Sequence, residues 1–164
     1  MYKRQINADQ IVATGDEAEQ LIKDAINYGT LCVSAEAVGC MESCYLKTVE
    51  YTKSREQFGQ PISNFQVLQH KMVDMFIEAE LCKSLLYKSM IDMHENNDSK
   101  YRSVSALKSQ VGLSGKKVGE DAVQLHGGMG VSEEMSIGHY LKRFISIDSQ
   151  FGNSHFHLKK FNNS

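Results

Sequence analysis

The chain has one proline, Pro61, and between its few turn signals a helical spacing of apolar residues runs almost without interruption. Proline removes a backbone donor and clashes with the preceding helical turn, so a chain nearly free of it has room for very long helices. From Glu17 to about Lys53, Leu21, Ile22, Ala25, Ile26, Val33, Ala37, Val38, Met41, Tyr45, Leu46 and Val49 recur at three- and four-residue intervals. A helix of that extent is ~54 Å long at 1.5 Å per residue, a length that belongs to bundles and coiled coils. Gly29 and Gly39 lie inside it. Each costs about 1 kcal/mol against alanine in an exposed helix interior, which predicts close approach of a partner backbone or ligand at both positions.

The rest of the chain repeats the pattern. Gly59 and Pro61 mark Ser54 to Asn64 as a turn. A second helix opens at Phe65, with Leu68, Met72, Met75, Ala79, Cys82, Leu86 and Met93 in a four-three alternation. His94 to Asp98 breaks it, and a third helix follows from about Ser99 to His126. That helix carries Val104, Leu107, Val111, Val118, Ala122 and Leu125 on one side and a row of small residues, Gly112, Gly115 and Gly119. A fourth runs from about Glu133 to Ser149 through Ile137, Leu141, Phe144 and Ile147, and a short amphipathic helix spans His155 to about Lys160. Long helices with short connections predict an all-α fold, an antiparallel four-helix bundle with a short extra C-terminal helix. Residues 1–15 lack this periodicity. Tyr2 to Ile6 reads as an extended piece that ends at Thr14-Gly15-Asp16, so the chain divides into a leading segment (1–15) and a bundle domain (16–164).

The formal net charge is −2, and no basic run exceeds the pairs Lys116-Lys117 and Lys159-Lys160, which argues against nucleic acid and anionic membranes as partners. No apolar run approaches the twenty or so residues that span a bilayer. Cys32, Cys40, Cys44 and Cys82 fall within apolar helical patterns, as expected of reduced thiols in a cytoplasmic protein.

Gln124-Leu125-His126-Gly127-Gly128-Met129-Gly130 is one candidate site. Ser132 reads as an N-cap, with Glu133 and Glu134 at the positive end of the next helix. Such a loop can present amides to an anion such as a pyrophosphate. Equally, Gly127 can simply terminate one helix and the other glycines form a joint. Arg55-Glu56-Gln57-Phe58-Gly59 is a second candidate: a guanidinium beside an exposed ring suits a phosphate and a ring, or merely complements a helix C-terminus. His155 and His157 are expected to be solvated, and Cys40 and Cys44 to be apolar buried thiols.

Taken in order, Ala35-Glu36-Ala37-Val38-Gly39, Arg55-x-x-Phe58-Gly59, Pro61-Ile62, Phe65-Gln66 and Gln124-x-x-Gly127-Gly128-x-Gly130 resemble the C-terminal domain of the acyl-CoA dehydrogenases, from about Asp9 to the end. The resemblance implies a bundle that holds FAD between the subunits of a homodimer or homotetramer. It implies that Arg55 contacts the FAD pyrophosphate held mainly by a neighbouring subunit, with Gln57 and Phe58 beside it and Phe65 and Gln66 at the adenosine end. Gln124, Leu125, His126, Gly127 and Gly128 would receive the ADP portion. Asn153, Ser154 and His155 fall where the family contacts the flavin from its own side. Two further family domains, which carry much of the contact to FAD and acyl-CoA, lie outside this chain, and residues 1–15 resemble the strand leading out of one of them.

One departure bears on activity. The family removes the acyl α-proton with the Glu of a Glu-Gly-Thr motif before the last helix, or with one on the first long helix. Here those positions hold Phe151 and Gly29, and neither can take a proton. Asp148, three residues before Phe151, and Glu36, within the long helix, are the carboxylates considered for a substitute, though no spacing supports either. Phe151-Gly152-Asn153 and Ile137 to Arg143 resemble bacterial small-subunit members, such as those of pimeloyl-CoA dehydrogenases, in which a large subunit would complete the site as a heteromer. The expectation is therefore a flavoprotein domain that is inactive alone. The alternative is a helical scaffold that no longer binds flavin.

Overall fold

The structure, a computed structural model, describes residues 5–163. Part of the expected extended piece, Tyr2 to Arg4, lies outside the described residues. Five α-helices follow a 3₁₀ turn at Ala8–Gln10: α1 (Gly15–Ser54), α2 (Gln66–His94), α3 (Lys100–His126), α4 (Ser136–Ser149) and α5 (Ser154–Asn162). Between α1 and α2 the chain makes a small antiparallel hairpin, β1 (Glu56–Gln57) and β2 (Gln60–Pro61), then a 3₁₀ turn. Phe58 and Gly59 both take positive φ, +55° and +77°, the conformation that a two-residue hairpin turn matching the strand twist requires.

Helix α3 is central and packs against α1, α2, α4 and α5. One side buries Val104, Leu107, Val111, Val118, Ala122 and Leu125, as the periodicity predicts. The glycine row is buried too, because α4 lies across it. A β-carbon at Gly115 would stand 3.1 Å from the Phe144 ring, and one at Gly119 would stand 2.9 Å from Leu141. Helix α1 is the longest, at ~60 Å against ~44 Å for α2 by the rise per residue, and Gln20 and Asp24 near its start hydrogen-bond Tyr101 of α3. Leu21, Ile22 and Ile26, which share the apolar spacing of the core positions, are 45–61% exposed there. Gly29 is closely packed as expected, under the ring of Phe151, but Gly39 faces open space.

Three polar anchors hold the chain's corners. Lys108 is fully buried, and its ammonium donates to the carbonyls of Ile147 (2.8 Å) and Asp148 (3.0 Å) at the end of α4. A cation suits the negative end of a helix, while burial lowers the pKa of Lys108 against the opposing pull of the Asp148 carboxylate. Asp148 in turn accepts the backbone N–H of Ser154 (2.9 Å), which starts α5. A β-carbon at Gly112 would collide with that carboxylate. At the α2–α3 corner, Asp92 accepts from Lys88 (2.8 Å), Ser103 and Asn97 (3.1 Å), and these hydrogen bonds bring its pKa down to about 2.

Candidate functional site

The two sequence motifs separated by some seventy residues meet in space. Arg55 and Gln57, just beyond α1, and Gln124 to Met129, at the end of α3, line one open groove of about 460 Å³ with Tyr51 and Ile62. The backbone of Arg55 is fixed on both sides: its N–H donates to Tyr51 O (2.9 Å) and its carbonyl accepts from Ile62 N (2.8 Å). Its guanidinium makes no hydrogen bond or ion pair among the described residues and is solvent-exposed. A permanent charge held on an anchored backbone and left unpaired is suited to an external anion.

The glycines of the loop have different tasks. Gly127 ends α3 with φ +58°, a conformation that other residues rarely adopt. Gly130 is pressed against α3, where a β-carbon would lie 2.7 Å from Val123 O. Gly128 meets nothing within 4 Å and opens on the groove. The loop does not run into a helix N-terminus as the Ser132 cap implied. Helix α4 begins later, at Ser136 after Met135, because the Ser132 hydroxyl donates to Met129 O (3.0 Å) and continues the 3₁₀ turn. Glu133 pairs with Lys142 (2.9 Å) and is not at a dipole. Positive charge at this groove therefore comes from Arg55, while the nearby end of α3 is the negative one.

His126 forms the groove's floor. It is 4% exposed, stacks on Tyr51 with ring centroids 4.1 Å apart, and places Nδ1 2.8 Å from Ala122 O. Burial lowers its pKa, and its Nε2 has no partner among the described residues. Leu125 is buried beside it, whereas Gln124 is exposed. Tyr51 went unnoticed in the sequence, although it lies one helical turn before Arg55 and so on the same face. On the hairpin, Phe58 is 91% exposed with its ring 6.0 Å from that of Phe65, edge to face. A large exposed ring on a residue of positive φ carries a strain that suggests a contact beyond this chain. Gln66 is exposed at the first turn of α2 next to it.

The remaining site residues lie elsewhere. Asn153 caps α5 by accepting the Phe156 N–H (2.9 Å), Ser154 is buried and His155 exposed. Phe151, just before them, packs its ring on Gly29: a β-carbon there would be 2.7 Å from Phe151 Cζ. Phe151 and Gly29, the two positions at which the family resemblance implies a base, thus meet in space as a ring over a glycine. Gly29 and Arg55 are ~39 Å apart along α1, so this second cluster and the Arg55 groove are distinct places on the chain. The two substitute carboxylates are otherwise engaged, Asp148 with Ser154 and Glu36 in a two-pronged pair with Arg143 (2.6 and 2.7 Å). Glu36 is thus on a surface pair outside the helix packing. His157 is buried, contrary to the expected solvation, with Nε2 3.0 Å from Phe151 O. Burial raises the thiol pKa of half-buried Cys40, and that of buried Cys44 to about 12.

Comparison with known proteins bears on this arrangement. The family model described as "Acyl-CoA dehydrogenase, C-terminal domain" matches residues 20–160. The chain belongs to that family. Acyl-CoA dehydrogenase IpdE2 of Mycolicibacterium smegmatis is 32% identical over 115 residues, which cover 69% of this chain and 34% of the relative. The structure of butyryl-CoA dehydrogenase from Megasphaera elsdenii superposes with a TM-score of 0.81 at 28% identity, over 84% of this chain and 36% of that one. A structure described as PigA with FAD and proline superposes with the same TM-score at 25% identity, over 86% and 37%. The acyl-CoA dehydrogenase C-terminal bundle thus spans about a third of the length of these relatives. Among the described residues no helix is long and apolar enough to cross a membrane.

Proposed function

We propose that this acyl-CoA dehydrogenase domain supplies the pyrophosphate-and-adenosine half of an FAD site that is completed by another subunit. The convergence of Arg55 and Gln57 with the Gln124–Gly128 loop on one groove carries this reading. The groove's chemistry fits the group: an unpaired guanidinium for a pyrophosphate, an open Gly128 for close approach, and the Phe58 and Phe65 rings for an adenine face. Bound FAD would supply hydride acceptance in the α,β-dehydrogenation of an acyl-CoA thioester. Asn153 and His155, on the other cluster, would face the flavin of a second site, so one chain serves two cofactors in a homodimer, homotetramer or heteromer.

The other half of the chemistry is not provided here. Phe151 over Gly29 offers no group to take the substrate α-proton. In this reading the base comes from a partner chain, and the pure 164-residue protein does not turn over acyl-CoA with an artificial electron acceptor.

The test is FAD titration of the chain in its oligomer, alone and with a base-bearing large subunit, followed by flavin absorbance. Arg55→Ala removes a charge-assisted contact worth roughly 1.5–3 kcal/mol, or about 10- to 150-fold in affinity. Unchanged affinity in the complex would refute the assignment of the groove and favour the scaffold without flavin.

A further inference from the structure

Helix α2 has two faces. Met75, Ala79, Cys82 and Leu86 point into the bundle and are buried. On the outer side Val73, Phe76, Ile77, Leu81, Tyr87 and Ile91 are each 46–55% exposed, a band ~27 Å long at 1.5 Å per residue. Its centre line passes through Asp74, Ile77, Leu81, Ser84 and Lys88, an alternating three- and four-residue spacing that keeps one seam turned toward a partner helix. A contiguous apolar band, unlike scattered surface residues, marks an interaction site.

The outer face is arranged symmetrically about Leu81, and that symmetry identifies its occupant. Asp74 and Lys88 lie seven residues to either side of Leu81 and are opposite in charge. Asp74 is exposed and makes no hydrogen bond or ion pair among the described residues, since the nearby Lys117 is taken up by Glu78 (2.8 Å). Lys88 uses one of its three ammonium protons on Asp92 (2.8 Å), and its side chain is 61% exposed. In the first half of α2 an open apolar pocket of about 260 Å³ lies between Val73 and Phe76 and the α1 residues Tyr45 and Val49. In the second half Tyr87 follows Phe76 by eleven residues, three helical turns, and so projects from the same flank.

A twofold axis through Leu81 turns a second α2 antiparallel to the first. It sets Asp74 against Lys88 twice, Leu81 against its own copy, and each Tyr87 ring over the Val73–Phe76 pocket of the other chain. A parallel pair would instead oppose Asp74 to Asp74 and Lys88 to Lys88. Glu80, beside the axis, is already paired with Lys83 (3.7 Å), so its two copies do not meet as bare charges. Such self-complementarity, in which residue i meets j and j meets i, is what a twofold contact requires. We infer that the outer face of α2 binds a second copy of this chain, antiparallel about Leu81, with Tyr87 of each copy seated in the pocket of the other. The face shares no residue with the Arg55 groove, so the inference does not rest on flavin binding.

Sedimentation equilibrium of the full chain without flavin tests it. The wild-type mass should be an even multiple of the chain mass, and Leu81→Glu should halve it. Leu81 is half-exposed, so this variant should keep the wild-type circular dichroism. Asp74→Lys sets like charges together at both ends of the contact and should weaken association about tenfold. Oxidation reads the register: Leu81→Cys should form a disulfide-linked pair of chains, whereas Val67→Cys, fourteen residues from the axis, should not. Wild type, whose exposed Cys32 lies on α1, is the control. A face that serves an unlike partner predicts a wild-type monomer, or a mass that Leu81→Glu does not change. Either result, or cross-linking of Val67→Cys as readily as Leu81→Cys, overturns the inference.

Discussion

Replacing Lys108 with methionine keeps the side chain's length and removes its charge from the centre of the bundle. Two effects oppose one another. The ammonium is costly to bury, as its lowered pKa shows. It also donates to two carbonyls, and these are not equivalent. Ile147 O keeps a second partner in the Gln150 N–H (3.1 Å), whereas Asp148 O has no other among the described residues. One charged hydrogen bond to a carbonyl that is then orphaned, plus one that is replaced in part, comes to about 2–3 kcal/mol net of the relieved desolvation. For a chain of this size that is a fall in melting temperature of about 4–12 °C. The pH dependence gives an independent check. The pKa of Lys108 is lower in the folded state, so the unfolded chain binds more protons between that value and the ordinary 10.5. Wild-type stability therefore gains a contribution that grows as pH rises through this alkaline window, and Lys108→Met loses it. Urea unfolding of both proteins between pH 8 and 10.5 measures the difference. If Lys108→Met is as stable as wild type at pH 8, the two carbonyl contacts do not outweigh burial of the charge, and the anchoring role assigned to Lys108 is wrong.

Other perturbations follow from the same contacts. Asp92 has its pKa depressed from 3.8 to about 2, so its hydrogen bonds contribute about 2 kcal/mol above pH 4 that is lost as pH falls toward 2; Asp92→Asn should flatten this part of an acid-unfolding curve, and an unaltered curve would remove Asp92 from its cause. Gly130→Ala should cost about 1–3 kcal/mol because the new carbon meets backbone at Val123 that cannot turn aside. Gly29→Ala meets only the tip of the half-exposed Phe151 ring and should cost less than Gly130→Ala in the same thermal melts. Equal losses would contradict this distinction between rigid and yielding neighbours.

Much of the fold was legible in the sequence for a simple reason. Helical periodicity is local, and one proline leaves little to interrupt it, so the five helices and the inward faces of α2 and α3 could be read from spacing. Order and spacing of short motifs also carried the family, which residues 20–160 confirm. Local rules failed where a neighbour from far along the chain decides the outcome. Ser132 has the chemistry of an N-cap, yet Met129 O takes its hydroxyl and α4 starts later. Leu21, Ile22 and Ile26 repeat the core spacing but stay exposed, since nothing in their own segment encodes which face of α1 the other helices cover. His157 looks like a solvated residue and is buried because α5 folds back on the Phe151 carbonyl. Arg55 and Gly128 could each be picked out as candidates, but that they face one groove is decided by how α1 and α3 pack. Phe151 over Gly29 is of the same kind: two residues incapable of proton transfer were visible in the sequence, and their meeting in space exists only in the folded chain. Sequence determines what each segment can be, because backbone preferences act over a few residues. Which segments meet depends on burial summed over the whole chain, and that sum places the site.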